Sequence, residues 1–290
     1  MQYLTAPIYS LFSLIARKEK FLDVRRWGSG AIVLIVFVPC LLYAQTNWEG
    51  AVLEWETTIS AKGLSVDKLG QVYVITPDEQ LVRFAADGTA KGVFAQPTLG
   101  RLGGTDISDP LSPLLWYPDF QAIVLLDRTM GLLATLYLPA EIFAYPTLVA
   151  RGRDNHIWVF DKFHNRLMSV DAQGRLLGQS QELSLGAQAP KDPQLLVADE
   201  EGFYLCDSLQ GVWRFDRLGQ FQGFIPEKNI QAIFPLSGYR AILRTKEGYL
   251  LLENGRLPGP VDFPFAGAFL FLRANVVATW AGGVLRYYRK

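Results

Sequence analysis

From Trp48 onward the chain alternates between short apolar runs and turn residues. Runs of four to seven residues, β-branched and aromatic, are bounded by Gly, Pro, Asp and Asn, the pattern of short strands joined by tight turns. Leu64–Gly88 shows it most plainly. An apolar run Leu64–Val66 is followed by a turn at Lys68–Gly70, a run Gln71–Ile75, a polar turn and a run Gln80–Phe84. Asp87-Gly88 then leads into Ala90–Phe94. Asp-Gly suits a tight hairpin because both residues tolerate positive φ. The same order returns at Leu148–Gly174, with runs His156–Phe160 and Arg166–Val170, and at Leu195–Gly219, with Phe203–Cys206 and Val212–Phe215. The nearest helical window, Ala140–Leu148, is cut short by Pro139 and Pro146.

Three more units are diverged. Leu114–Leu138 carries Ala122–Leu126 as its second strand and a third near Leu132–Leu136. Ile230–Asn254 carries Arg240–Leu243 and Tyr249–Leu252, and Phe269–Lys290 carries Asn275–Thr279 and Val284–Tyr288. The second strands then begin near residues 71, 122, 156, 203, 240 and 275, at intervals of 34 to 51 residues. Blades of a β-propeller run about 40–50 residues. The expected fold is therefore all-β, a six-bladed β-propeller over residues 45–290. Its last unit stops after a third strand, whereas Gly50–Thr57 is a strand without a unit. The expectation is that this N-terminal strand completes the last blade, a three-plus-one closure that removes the free edges.

The N-terminal 44 residues break the pattern. Ala31–Ala44 (AIVLIVFVPCLLYA) follows the basic cluster Arg17–Arg26 and precedes polar residues. A cationic flank, a short apolar run and a small residue at its exit describe a secretory signal peptide, cleaved after Ala44. Counting from Trp27 brings the run closer to the roughly 20 residues of a bilayer span, so residues 1–44 read as a signal peptide or an N-terminal membrane anchor. Membrane contact is then confined to residues 27–44 of an uncleaved chain. A lipid attachment at Cys40 does not fit, because Phe37-Val38-Pro39 lacks the small residues such a site needs.

Composition narrows the function. Half of the residues are hydrophobic and 19% charged, ample for a core and unlike a disordered chain. Residues 1–44 hold five basic and two acidic residues; without them, the 28 of each sign become 23 basic and 26 acidic. A weakly acidic globule has no electrostatic footprint for nucleic acid. Beyond Cys40 there is only Cys206, so no internal disulfide braces the domain. Cys206 lies in a strand pattern and reads as a small buried hydrophobe.

Asn155–Gly174 resembles the NHL-repeat consensus of six-bladed propellers through Trp158-Val159, Asp161, Asn165-Arg166-Leu167 and Asp171…Gly174. Glu201–Gly219 matches more loosely, and Leu64–Gly88 has Thr76 in place of the Asp. The resemblance implies blade geometry and carries no activity. It also invites comparison with gluconolactonase-like propellers, which hold an axial metal through Glu, Asn and Asp. The innermost runs Leu64–Val66 and Leu195–Val197 are apolar and supply no such set.

Candidate chemistry is sparse. Asp127, Asp161 and Asp207 are each expected to end a second strand, which would place three carboxylates around one rim. They are read either as a site for a cation or as caps of their own turns. His156 and His164 are the only histidines, and no Cys or carboxylate pattern beside them has metal-site spacing. Leu99–Thr105 (LGRLGGT) lacks the ending of a phosphate loop and reads as a loop between blades. Trp116, Tyr117, Phe163 and Trp280 are aromatic residues for a face patch or for packing between blades. No catalytic, cofactor or metal residue is assigned. The candidate partner-binding residues are Asp127, Asp161, Asp207, Phe163, His164 and Trp280. The expectation is an exported, non-catalytic scaffold of the periplasm or envelope that binds another envelope protein, in an assembly or secretion complex. The alternatives are a metal-dependent hydrolase or lactonase with a site at the axis, and a binder of glycan or peptidoglycan fragments.

Overall fold

The computed structural model describes Trp48 and residues 50–290, apart from residues 153–154, 184–188, 237, 266, 268 and 274. The expected signal peptide or anchor, its cleavage after Ala44 and Cys40 lie outside the described residues. The remaining chain forms six four-stranded antiparallel sheets. A strand β1 (Val52–Thr58) precedes the first of them. Blade 1 is β2 (Gly63–Val66), β3 (Val72–Ile75), β4 (Leu81–Phe84) and β5 (Ala90–Phe94). Blade 2 is β6 (Gly104–Asp106), β7 (Leu114–Tyr117), β8 (Ala122–Leu126) and β9 (Leu132–Tyr137). Blade 3 is β10 (Pro146–Arg151), β11 (Ile157–Asp161), β12 (Arg166–Val170) and β13 (Leu176–Gln179). Blade 4 is β14 (Leu195–Ala198), β15 (Gly202–Asp207), β16 (Gly211–Asp216) and β17 (Phe221–Ile225). Blade 5 is β18 (Ala232–Leu236), β19 (Arg240–Arg244), β20 (Tyr249–Glu253) and β21 (Arg256–Val261). Blade 6 is β22 (Phe269–Arg273), β23 (Val276–Ala281) and β24 (Val284–Arg289), with β1 hydrogen-bonded outside β24 from Val52↔Arg289 to Thr58↔Val284.

Within each blade the strands run A to D from the inside outward. Inner strands of neighbouring blades touch around a common axis, and Ser65 Oγ of β2 lies 3.5 Å from Thr105 Oγ1 of β6. The second strands β11 and β15 are buried along their whole length, whereas outer strands such as β1 and β13 are largely exposed. Blades cover both faces of a second strand, so it reads as a continuous apolar run. There is accordingly no single central core. Six apolar clusters each fill a seam between two blades: Tyr73 and Leu81 meet Leu115 and Val124 between blades 1 and 2, and Trp158 meets Phe203 and Phe215 between blades 3 and 4.

The seams explain the closing glycines of the Asp…Gly turns. Gly88 and Gly219 hold φ of +81° and +75°, and a Cβ would approach the indoles of Trp55 and Trp158 to 2.9 and 2.5 Å. These turns dock against the aromatic ring of the preceding blade, and only glycine combines that φ with that approach.

Blade 2 corrects the sequence reading by one strand. Ala122–Leu126 is its third strand and Leu132–Tyr137 its outer one; the second is Leu114–Tyr117. The inner strand, Gly104–Asp106, lies partly within the Gly-rich stretch read as a loop. A three-residue strand beginning on glycine carries almost no apolar signal. Its neighbour Gly103 packs so tightly that a Cβ would meet Pro118 at 2.7 Å. With this correction the second strands begin at residues 72, 114, 157, 202, 240 and 276, at intervals of 36 to 45 residues.

Candidate partner-binding face and axial cavity

Antiparallel order gives the ring two unlike faces. B–C turns and the D–A connections between blades lie on one, here the upper face; A–B and C–D turns lie on the lower. Asp161 ends β11 and Asp207 ends β15, so both are on the upper face. Each is buried, and each reaches back to the connection entering its own blade. Asp161 Oδ2 accepts the N–H of Ala144 at 2.8 Å, while Oδ1 accepts those of Tyr145 at 3.1 Å and Phe163 at 3.0 Å. Asp207 repeats the arrangement with Lys191 and Asp192 on Oδ2, at 3.1 and 2.9 Å, and Leu209 on Oδ1 at 3.0 Å. Both carboxylates fasten an inter-blade connection to a hairpin. In blade 1, Thr76 Oγ1 accepts the Gln80 N–H at 3.2 Å. Glu79 there faces the other way: it accepts the Leu102 N–H of the connection into blade 2 at 2.6 Å and pairs with Lys62, just before blade 1.

Burial alone would raise the Asp161 pKa. Hydrogen bonds from His164 and from the Ala144, Tyr145 and Phe163 amides outweigh it, and the carboxyl is held below its ordinary value. His164 Nδ1 lies 3.1 Å from Asp161 Oδ2, so the imidazole belongs to this lock.

Asp127 does not share that rim. It follows β8, a third strand, and sits in a C–D turn on the lower face. Its Oδ1 accepts the N–H groups of Thr129 and Gly131 at 2.6 and 2.9 Å. Asp171 and Asp216 hold their own C–D turns through the same two-residue and four-residue reaches. The misplacement follows from the one-strand slip in blade 2. Three carboxylates around one rim are thereby reduced to two, in separate blades and each occupied by its own amides.

The aromatic candidates divide sharply. Trp280 is a strand residue of β23, packed at the seam of blades 6 and 1, and its Nε1 donates to Ile59 O at 2.6 Å. Trp116 is buried and donates to Thr147 O of blade 3 at 3.1 Å, and Tyr117 is buried in the seam of blades 1 and 2. These are blade-to-blade packing. Cys206 is buried without a disulfide, and desolvation pushes its thiol up to about 12. Phe163 is different: it projects from the B–C turn of blade 3 at 74% exposure.

Phe163 has companions that the sequence pattern did not single out. Phe120 occupies the B–C turn of blade 2, Leu209 that of blade 4, and Tyr145 the connection between blades 2 and 3, all exposed. They form an apolar arc over three consecutive blades of the upper face. The corresponding stretches of blades 1 and 5 carry Pro77-Asp78-Glu79 and Lys246-Glu247.

The axis opens on the same face. A cavity of about 480 Å³ is walled by Leu64, Leu195, Val197, Ile233, Phe234 and Leu270, with Gln231 and Arg244 as its polar side chains. Most of these residues stand at or near the starts of inner strands, which places the cavity in the upper half of the axis. Arg244 Nη2 donates to Gly267 O at 2.7 Å. The lower end of the axis is charged instead. Asp67, Asp106, Arg151, Asp199 and Arg273 stand at or just past the ends of five inner strands. Asp106 Oδ2 accepts the Arg151 N–H at 2.7 Å. Burial lowers the Arg273 pKa against the pull of Asp106, Asp67 and Glu200. Among the described residues no three His, Cys, Asp or Glu side chains stand close enough to share a metal ion.

No family model matches the chain, and no curated protein sequence does. Solved structures do. A virginiamycin B lyase from Staphylococcus aureus is 12% identical, with a TM-score of 0.54 over 81% of this chain and 98% of its own. A streptogramin B lyase is 11% identical, again with a TM-score of 0.54, over 81% and 97%. BBS1N, solved in complex with ARL6DN, is 11% identical at a TM-score of 0.51, over 82% and 96%. The chain is a six-bladed β-propeller. At such identities the likeness concerns the fold alone.

Proposed function

We propose that the protein is an exported, non-catalytic propeller that binds another protein of the periplasm or envelope through the upper face of blades 2–4. One observation carries this reading: Phe120, Tyr145, Phe163 and Leu209 stand exposed on one face of three adjacent blades. Apolar side chains gathered on one surface mark interaction sites, and aromatic anchors supply much of the binding free energy there. Beneath the arc, Asp161 and Asp207 fix the turns that carry Phe163 and Leu209, so the anchors sit on a rigid base and lose little entropy on docking. Neighbours in fold include both lyases and a protein solved with its partner, so the fold suits either class. The apolar upper axis favours the binder over a hydrolase or lactonase with an axial metal.

In this reading residues 1–44 direct export, as a cleaved signal peptide or as an anchor in the inner membrane, and β1 fastens the ring after it. The partner belongs to an envelope assembly or secretion complex. Affinity isolation of the tagged protein from envelope extracts tests this: one partner in stoichiometric amount is expected, and its absence under mild cross-linking contradicts the reading.

A further inference from the structure

The outer strand of each blade is an open sheet edge, whose unpaired N–H and C=O groups form a template for another strand. Five of the six outer strands are blunted. β1 carries Glu54 and Glu56, β5 carries Lys91 and Gly92, and β21 carries Arg256 and two prolines. β13 and β17 are each interrupted by a glycine, which weakens a strand. β9 (LLATLY) has none of these devices, and Leu132, Leu133 and Tyr137 along it are each more than half exposed. A bulge interrupts the pairing of the outer strand in every blade, so it does not set β9 apart.

The backbone of β9 suits a partner identical to itself. The Leu138 N–H donates inward to Gln121 O, so alternation turns the N–H and C=O groups of Thr135 and Tyr137 outward. A two-fold axis at Thr135 then makes Thr135 of two copies a hydrogen-bonded pair and brings Tyr137 beside Leu133 of the second copy. Facing threonines are favourable cross-strand neighbours. The flanks agree with that direction. Exposed Arg128 precedes the strand and exposed Glu141 follows it, while Asp127 is taken up by its own turn. Antiparallel pairing sets Arg128 of each copy at the end that carries Glu141 of the other, whereas parallel pairing opposes like charges. We propose that two copies of the protein join rim to rim through antiparallel pairing of β9, fusing the two four-stranded sheets of blade 2 into one. Pairing over six residues is small beside the roughly 1,200–2,000 Å² of a stable interface, so the dimer forms reversibly.

Sedimentation velocity of the full chain over a concentration series tests the proposal, with a monomer–dimer equilibrium expected in the micromolar range. Tyr137→Lys, a charge at an exposed position of the edge, is expected to weaken it about tenfold. Thr135→Pro removes an outward N–H and spares the bonds to β8, and is expected to leave only monomer. On mild oxidation Thr135→Cys is expected to give a covalent dimer, because residues facing each other in such a pair lie within disulfide reach; Lys91→Cys, on β5, is not. A wild type that stays monomeric up to millimolar concentration, or a dimer that withstands both Tyr137→Lys and Thr135→Pro, overturns the proposal. So does a Thr135→Cys chain that cross-links to a different protein in envelope extracts and not to itself, which assigns the edge to another chain's strand. Tyr137→Lys and the cross-link decide the matter should Thr135→Pro fail to fold.

Discussion

The two faces of the ring use aspartate in different ways. On the upper face, Asp161 and Asp207 are buried and join one blade's hairpin to the connection that enters the blade. On the lower face, Asp127, Asp171 and Asp216 take backbone N–H groups only from their own turns. The upper locks support exposed apolar tips at Phe163 and Leu209, and the axis above them is apolar. Below, the axis ends in charge. An aspartate's work follows from the turn it occupies. At a B–C turn it ties the hairpin to an inter-blade connection, and at a C–D turn it caps its own turn. Asp106, at the lower end of β6, reaches across to the Arg151 N–H of blade 3. The upper face gathers its exposed apolar groups on the adjacent blades 2–4 over locked turns, whereas Leu69, Leu111 and Leu218 of the lower face stand on blades 1, 2 and 4. That gathering is the physical basis for a docking surface.

The comparison is broken most severely at the locks. Asp161→Ala leaves the Ala144, Tyr145 and Phe163 amides without their acceptor, and a hydrogen bond to a charged group contributes about 1.5–3 kcal/mol. A fall of about 3–5 kcal/mol in stability is expected by chemical denaturation, and a similar one for Asp207→Ala. The two sites are in separate blades without a shared partner, so the double variant should be nearly additive.

Acid sharpens the same point. The Asp161 pKa is lowered in the folded state, so its contribution is fully present above the ordinary carboxylate pKa of about 3.9 and is lost as pH falls through the folded value. The Tm difference between wild type and Asp161→Asn should therefore be largest near pH 6 and shrink below about pH 4. Asp199 on the lower face has the opposite sign. Burial raises its pKa despite hydrogen bonds from the Glu201 and Gly202 amides and the Tyr204 side chain. Stability tied to its proton is thus present at low pH and lost as pH rises through the folded value. Asp199→Asn should match or exceed the wild-type Tm at pH 7, where Asp161→Asn falls below it.

Smaller effects follow on the lower face. Asp127→Ala removes bonds within one exposed turn and should lower Tm far less than Asp161→Ala in the same thermal scan. Smallest of all for stability are Phe120→Ser, Phe163→Ser and Leu209→Ser, which remove exposed apolar groups and should each stay within about 0.5 kcal/mol of wild type.

How much of this was legible in the chain follows from burial. Units built on Ile157–Asp161 and Gly202–Asp207 stood out because both faces of those strands are covered, giving unbroken apolar runs. The Asp and Gly positions of the NHL-like stretch are turn and seam residues, visible because they need particular backbone angles. Blade 2 slipped by one strand because Gly104–Asp106 carries no apolar signature, and with it Asp127 moved to the wrong face. The three-blade arc was only partly legible: Phe163 stood out as an aromatic in a turn, but Phe120, Tyr145 and Leu209 lie 18 to 46 residues from it along the chain. Only closure of the ring places them on one face. Trp280 left both a face patch and seam packing open for the converse reason, since an aromatic near a turn and one sealing a blade seam look alike in sequence. The axial cavity was hinted at by apolar inner strands, and Arg244 lay unnoticed at the end of a second strand.

The docking face is tested most directly by comparing two variants in one cross-linking experiment on envelope extracts. In the first, Phe120, Phe163 and Leu209 are replaced by serine; in the second, Leu69 and Leu218, exposed apolar residues of the lower face, are replaced likewise. With both variants folded to the wild-type Tm, the upper-face variant should lose the stoichiometric partner and the lower-face variant should keep it. Retention of that partner by the upper-face variant, or its loss from the lower-face variant alone, would contradict the account.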